Sequence, residues 1–148
     1  MWVVFEGLDK AGKGTLEWEL LKATNFKHIV IDRGPVGYIT FDVLFNRIED
    51  IDVDTREFLI NIKDMIVSKN FLVVYCKVPV VTALQRITEH NETCPYNYEH
   101  AQMLYDRNIR ALYEDNGINV VTIDTTKSIE ECVKQIVEKL QEVNKNEL

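Results

Sequence analysis

Lys13 follows a glycine at position 12 and stands six residues after another at position 7, in the run Gly7-Leu8-Asp9-Lys10-Ala11-Gly12-Lys13-Gly14-Thr15. A lysine flanked this way is suited to holding an anion. Glycines at the first and sixth positions let the backbone curl with its N–H groups facing a single centre. A helix opening at Lys13 would aim its positive N-terminal end at the same point, with the lysine reaching over β- and γ-phosphates. The spacing is that of a Walker A loop. In that pattern a Ser or Thr directly after the lysine meets Mg²⁺; here Gly14 takes the place and Thr15 comes one step later. The bland alternative is a glycine-rich hairpin turn, which has no need of Gly-Lys-Gly-Thr at the start of a helical stretch.

A second charged pair, Asp32-Arg33, ends an apolar run and is followed by Gly34-Pro35. If that run pairs with the one preceding Gly7, both charges stand beside the loop. Arg33 could then grip a second phosphate with its two-pronged guanidinium, and Asp32 could hold Mg²⁺ through water. The alternative is an ordinary Asp–Arg pair terminating a strand.

These residues need a frame. Four short apolar runs, Trp2–Phe5, Ile29–Ile31, Phe71–Tyr75 and Val120–Ile123, are apolar at consecutive positions, as in parallel strands buried on both faces. Helical patterns alternate with them at about Lys13–Thr24, Val36–Ile48, Asp54–Lys69, Val80–Glu89, Tyr98–Asn116 and Ser128–Asn144. Asp54 with Glu57 and Ser128 with Glu131 have the spacing of capping boxes. The alternation predicts an α/β protein: a three-layer α/β/α sandwich with right-handed crossovers. No repeat or linker divides it, so residues 1–148 read as one domain. In such sheets the ligand lies at the carboxyl ends of the strands, which selects Glu6 to Thr15, Asp32-Arg33, Lys77 and Asp124–Lys127.

Phe5-Glu6-Gly7-Leu8-Asp9-Lys10-Ala11-Gly12-Lys13, Ile31-Asp32-Arg33, and Val73-Val74-Tyr75 leading through Val78-Pro79 to Leu84-Gln85-Arg86 together resemble the thymidylate kinase branch of the nucleoside-monophosphate kinases. The chain is similar in particular to the compact bacteriophage-type members. The resemblance runs in order over nearly the whole chain. It implies a mostly parallel sheet and an ATP- and Mg²⁺-dependent kinase with nucleotide substrates. Gly7, Asp9, Lys10, Ala11, Gly12, Lys13, Gly14 and Thr15 would surround the donor phosphates, with Arg86 at the entrance of a short lid, residues 88–97. Arg33 and Asp9 would serve the acceptor, and Thr15 and Asp32 the metal, through water. The lid has no Lys or Arg, so Lys10 resembles the catalytic charge that some members carry in the loop instead. Its alternative is a solvated loop lysine. The chain departs from the family at Gly14, at Gly37 where Ser is common, and in having only residues 14–27 between Lys13 and His28. A strand and helix normally fit there, so the sheet is expected to have four strands and the acceptor pocket to be thin.

The acceptor's chemistry divides the functional readings. A monophosphate is already an anion and asks for positioning and cations: Lys13, Lys10, Arg33 and Mg²⁺. A nucleoside or polynucleotide 5′ hydroxyl must give its proton to a carboxylate, for which Asp32 or Asp9 is the candidate. A third reading is a nucleotide-binding relic whose acceptor site has decayed.

The net charge of −7 argues against a large nucleic-acid surface. No apolar stretch approaches the ~20 residues of a membrane helix, and no leader is read before the first strand. Three scattered cysteines suggest reduced thiols in a cytoplasm. Pairing into a homodimer stays open. His28, His90 and His100 lack metal-ligand spacing. Trp18, Leu21, Phe41, Leu44 and Phe45 read as core from their helical spacing, and Tyr96, Tyr98 and Tyr105 as packing residues.

Overall fold

The computed structural model describes residues 1–45, 60 and 70–146. Its sheet is built from β1 (Trp2–Glu6), β2 (Ile29–Ile31), β3 (Phe71–Lys77) and β4 (Val120–Asp124). The order is β2-β1-β3-β4 and every pairing is parallel. Among the described residues, the helices are α1 (Lys13–Ala23), α2 (Pro35–Leu44), α3 (Val80–Glu89), α4 (Tyr98–Asn108) and α5 (Ile129–Asn146). The expected α/β/α sandwich with four strands is therefore present. The expected helix Asp54–Lys69, its Asp54–Glu57 cap and the end of Val36–Ile48 lie outside the described residues.

Strand alternation divides the core in two. Val3, Phe5, Leu72, Val74 and Cys76 face Leu16 and Leu20 of α1 and Ile136 and Leu140 of α5. Val4, Val73 and Tyr75 face Val36 and Phe41 of α2, Ala83 and Ile87 of α3 and Tyr98 and Tyr105 of α4. Because both faces of β1 and β3 are covered, their continuous apolar sequence is satisfied. β2 differs from that expectation. It is an edge strand in the described sheet, with Ile29 53% exposed, because no strand follows on its outer side. Two residues read as core are also out in solvent: Trp18 is 56% exposed, edge-on to Phe26, and Phe45 is 38% exposed.

The long helix expected over Tyr98–Asn116 is broken. Regular α geometry stops at Asn108, a π-helical turn spans Ile109–Tyr113, and a tight 3₁₀ turn carries Glu114–Asn116 to Gly117, at φ 75°. The π turn accommodates one extra residue per turn, which brings Tyr113 back over the sheet below Tyr105 and Ile109, where all three are buried. At the other end of the chain, the Ser128 cap forms as read: its hydroxyl accepts from the Glu131 amide at 3.1 Å.

Candidate active site

β1 delivers the Gly7–Thr15 loop to the carboxyl edge of the sheet. Gly7 has φ 149°, and a side chain there would put Cβ 2.6 Å from the Cys76 carbonyl. Gly12, at φ 85°, turns the chain into α1 from the left-handed region. Lys13 Nζ folds back onto the Gly7 carbonyl at 2.9 Å. Gly14 has open space around it and Thr15 is exposed, whereas Ala11 is buried beneath the loop. Gly7 does not offer its amide to the loop's interior: that N–H donates to the Tyr105 hydroxyl at 2.9 Å.

A second loop stands next door. Because Val4 pairs with Ile31, Asp32 and Arg33 leave β2 level with Phe5 and Glu6. Arg33 has φ 138°, a left-handed conformation costing on the order of 1–3 kcal/mol in a non-glycine residue. Its guanidinium lies 4.5 Å from the centre of the Phe41 ring, and among the described residues no carboxylate pairs with it. Gly37 makes room for this side chain: a Cβ there would be 2.6 Å from Arg33 Cγ and 2.8 Å from Tyr105 Oη. Asp32 is exposed and faces Glu17, one helical turn beyond Lys13. Burial and the neighbouring Asp32 carboxylate push the Glu17 carboxyl up to about 8, against a smaller pull from Lys13.

Glu6 joins the two loops from below. It is fully buried at the end of β1, and its Oε2 accepts from the Tyr105 hydroxyl at 2.7 Å. The hydroxyl therefore accepts from the Gly7 amide while it donates to an ionised Glu6, and one phenol serves both buried groups. Burial lifts the Glu6 carboxyl to about 7, with Tyr105, the amides of Gly34 and Gly37, and Lys13 pulling it back. A Cβ on Gly34 would run into Glu6 Oε1 and Val4 Cγ1. The Tyr113 hydroxyl, brought in by the π turn, accepts from the Val36 amide at 3.5 Å.

On the opposite side of the loop lies a cavity of about 370 Å³ lined by Lys10, Gly12, Thr15, Arg86, Thr125 and Lys127, among others. Arg86 clamps its walls together. Its Nη1 donates to the Lys10 carbonyl at 2.8 Å and its Nη2 to the Thr125 carbonyl at 3.2 Å. Residues 88–97 then fold over the loop. Lys10 Nζ pairs with Glu92 at 2.9 Å, the Tyr96 hydroxyl donates to the Asp9 carboxylate at 3.1 Å, and the Tyr98 hydroxyl donates to the Asp9 carbonyl at 2.9 Å.

A four-stranded parallel sheet with this loop after its first strand can be compared with known proteins. Comparisons with protein-family profiles and with curated proteins give no match. Solved structures do match over almost the whole chain. The YorR protein of Bacillus subtilis, solved in complex with phosphorylated GDP, is 16% identical with a TM-score of 0.75, covering 95% of this chain and 96% of that one. The chain has a P-loop nucleotide-kinase fold. A deoxyadenosine kinase from M. mycoides with bound dCTP (16% identity, TM-score 0.62, 96% and 100% covered) and the thymidylate kinase of Candida albicans (17%, 0.51, 98% and 92%) share it.

Within this P-loop fold the residues singled out from sequence fall into two groups. Lys10, Gly12, Thr15 and Arg86 border one cavity, with Lys13 at the loop's end beside Gly7. Asp32 and Arg33 stand beside the loop on the β2 side, and Asp9 is taken up by Tyr96 of the lid and Tyr98 at the start of α4. Tyr96, Tyr98 and Tyr105 thus do more than pack, since each hydrogen-bonds the loop. Glu17, Glu92 and Tyr113 were not foreseen, and Glu6 was selected only by its place at the carboxyl end of a strand, with no role attached. Glu17 had a signal, because a carboxylate four residues after Lys13 shares its helix face. So did Glu6, a charge closing an apolar strand. Tyr105 and Tyr113 reach Glu6 and Val36 across 99 and 77 residues, and no local pattern announces that.

Proposed function

We propose that this chain is an ATP-dependent phosphotransferase whose acceptor is a (deoxy)nucleoside monophosphate, as in thymidylate kinases. The observation that carries this reading is Arg33. It is a cation at the loop's edge, held in a costly backbone conformation, and its two-pronged hydrogen-bonding face has no carboxylate partner among the described residues. A phosphate monoester dianion fits such a fork.

The carboxylates point the same way. A hydroxyl acceptor needs an available base. Glu6 titrates near 7 but is sealed from solvent, Asp9 holds Tyr96, and Asp32 faces Glu17. A monophosphate needs none of them. The donor's triphosphate would lie along residues 10–15, with Lys13 leaving the Gly7 carbonyl for the β/γ-phosphates and Lys10 adding charge. Its base would enter the cavity between Arg86 and Thr125–Lys127. Mg²⁺ fits the oxygen donors of Thr15 and Asp32, held through water. It would neutralise developing charge on the donor phosphates. The crowding of Glu17 against Asp32 supports a cation there, because two carboxyls in contact disfavour ionisation unless positive charge is added.

A hydroxyl-directed kinase is the second reading, favoured by the likeness to a deoxyadenosine kinase. The test is product chromatography with ATP over a panel of deoxynucleoside monophosphates, deoxynucleosides and 5′-hydroxyl DNA ends. Lys13→Ala should abolish transfer, while Asp32→Asn, assayed over a Mg²⁺ titration, should lose well under the ~10²–10⁴-fold of a missing base. Phosphorylation of nucleosides alone would overturn the monophosphate assignment. Thermal stabilisation by ATP with no product at all would indicate a nucleotide-binding relic.

A further inference from the structure

The lid supplies an acid where a donor phosphate belongs. Lys10 is the one loop lysine whose ammonium reaches across to the lid. It meets Glu92 Oε1 at 2.9 Å, the distance it would keep from a phosphate oxygen. Its backbone is fixed independently of that pair: the residue sits at φ 64° and its carbonyl is held by Arg86 Nη1 at 2.8 Å. Lys10 also borders the cavity shared with Gly12 and Thr15, so a change of side-chain rotamer alone can move its charge between Glu92 and the loop. The lid is tied down at its far end as well, through Tyr96 and, just beyond it at the start of α4, Tyr98 on Asp9, which keeps Glu92 near Lys10 without help from the ion pair.

We propose that Glu92 is a built-in phosphate surrogate. It neutralises Lys10 in the nucleotide-free protein and is displaced from it by the donor's phosphates, and so sets the affinity for triphosphate. This rests on the reading that residues 7–15 bind the donor. The pair is suited to displacement. Its side chains are 24% and 53% exposed, so water screens it and it is weak, whereas a triphosphate brings several charges and also engages Lys13 and the loop amides. The lid has no Lys or Arg of its own to take over the Lys10 position, so triphosphate binding and this lid contact compete for the same ammonium.

Isothermal titration with ATP, and separately with inorganic tripolyphosphate, tests this on wild type, Glu92→Gln, Lys10→Met and the double variant at low ionic strength. Removing the surrogate should tighten both ligands about two- to fivefold, the range an exposed pair is worth. Lys10→Met should weaken them, and Glu92→Gln should then have no effect in the Lys10→Met background. Unchanged or weaker binding by Glu92→Gln overturns the proposal. So does an equal gain in both backgrounds, which would mark a diffuse field effect. Lys13→Ala separates the two levels. If it binds ATP as well as wild type, or wild type does not bind, the donor-loop reading fails and the surrogate with it. If Lys13→Ala loses binding while Glu92→Gln stays flat, only the surrogate fails.

Discussion

Replacing Glu6 with Gln should make the protein's stability markedly less sensitive to alkaline pH. The Glu6 carboxyl titrates at about 7 in the fold, against 4.5 in an open chain, chiefly because burial penalises its charge. Its folded value is raised, so between those two pH values the folded state binds more protons than the unfolded one. Stability must then fall as pH rises. The stabilisation is complete below pH ~4.5 and lost once pH has passed through ~7. At 1.36 kcal/mol for each tenfold change in proton affinity, the penalty is about 1 kcal/mol at pH 5 and about 3 kcal/mol at pH 8. Gln keeps the oxygen that accepts from Tyr105 and carries no charge at either pH. The difference in unfolding free energy, variant minus wild type, should therefore climb by about 2–3 kcal/mol between pH 5 and pH 8, or roughly 4–12 °C in Tm for a chain of this size. Urea unfolding at four pH values in that interval measures it. Glu17, which also titrates high, is present in both proteins and cancels. Parallel stability curves would refute the reasoning, because they would mean that Glu6 is ionised at no cost and that its surroundings are far more polar than the packing of Val4, Tyr105 and Gly34 implies.

Two further substitutions address the geometry around this carboxyl. Gly37→Ala places a methyl where Arg33 Cγ and Tyr105 Oη now stand; since the arginine stem yields more readily than backbone, Arg33 should leave the Phe41 face. We expect kcat/KM for the acceptor to fall at least tenfold, ATP affinity to stay within about twofold, and stability to drop by about 1–3 kcal/mol as in other overpacked sites. Equal losses in ATP and acceptor binding would argue against a specific effect on Arg33. Tyr105→Phe strips the Gly7 amide and Glu6 Oε2 of a shared buried partner and should cost about 1–3 kcal/mol in urea unfolding. A loss below ~0.5 kcal/mol would show that water or a shift of the loop replaces the hydroxyl.

The framework was legible from the chain wherever local rules dominate. Apolar runs covered on both faces gave β1 and β3 within one or two residues, and the spacing of Ala83 and Ile87 fits α3 over the range read from sequence. The short stretch between Lys13 and His28 foretold the four strands. What escaped the sequence has two physical sources. One is the edge: Ile29 and Trp18 are apolar by type, yet among the described residues no layer covers them, and nothing in a single chain's periodicity reveals where a layer ends. The other is long-range polar pairing. Tyr105 reads as a packing tyrosine from its neighbours, and only the π turn and the crossing of α4 over β1 bring it and Tyr113 to the two loops. Lys10 was legible as a loop cation. Its partner was not, because an acid in a lid looks solvated until the lid is folded over the loop.

The narrow attachment of β2 has a consequence for how the molecule breathes. Only three residue pairs join β2 to β1, whereas five join β1 to β3 and five join β3 to β4. Opening that edge exposes one short strand and the arm carrying Arg33, while the loop that carries Lys13 stays anchored in the sheet's interior. Local opening free energies scale with what must be unpacked, so the amides of residues 29–31 should exchange with solvent well before those of residues 3–5 and 72–76. The two halves of the site then have separate lifetimes. If Arg33 and residues 7–15 serve acceptor and donor as proposed, an acceptor would come and go through fluctuations of the edge while the triphosphate end keeps its shape.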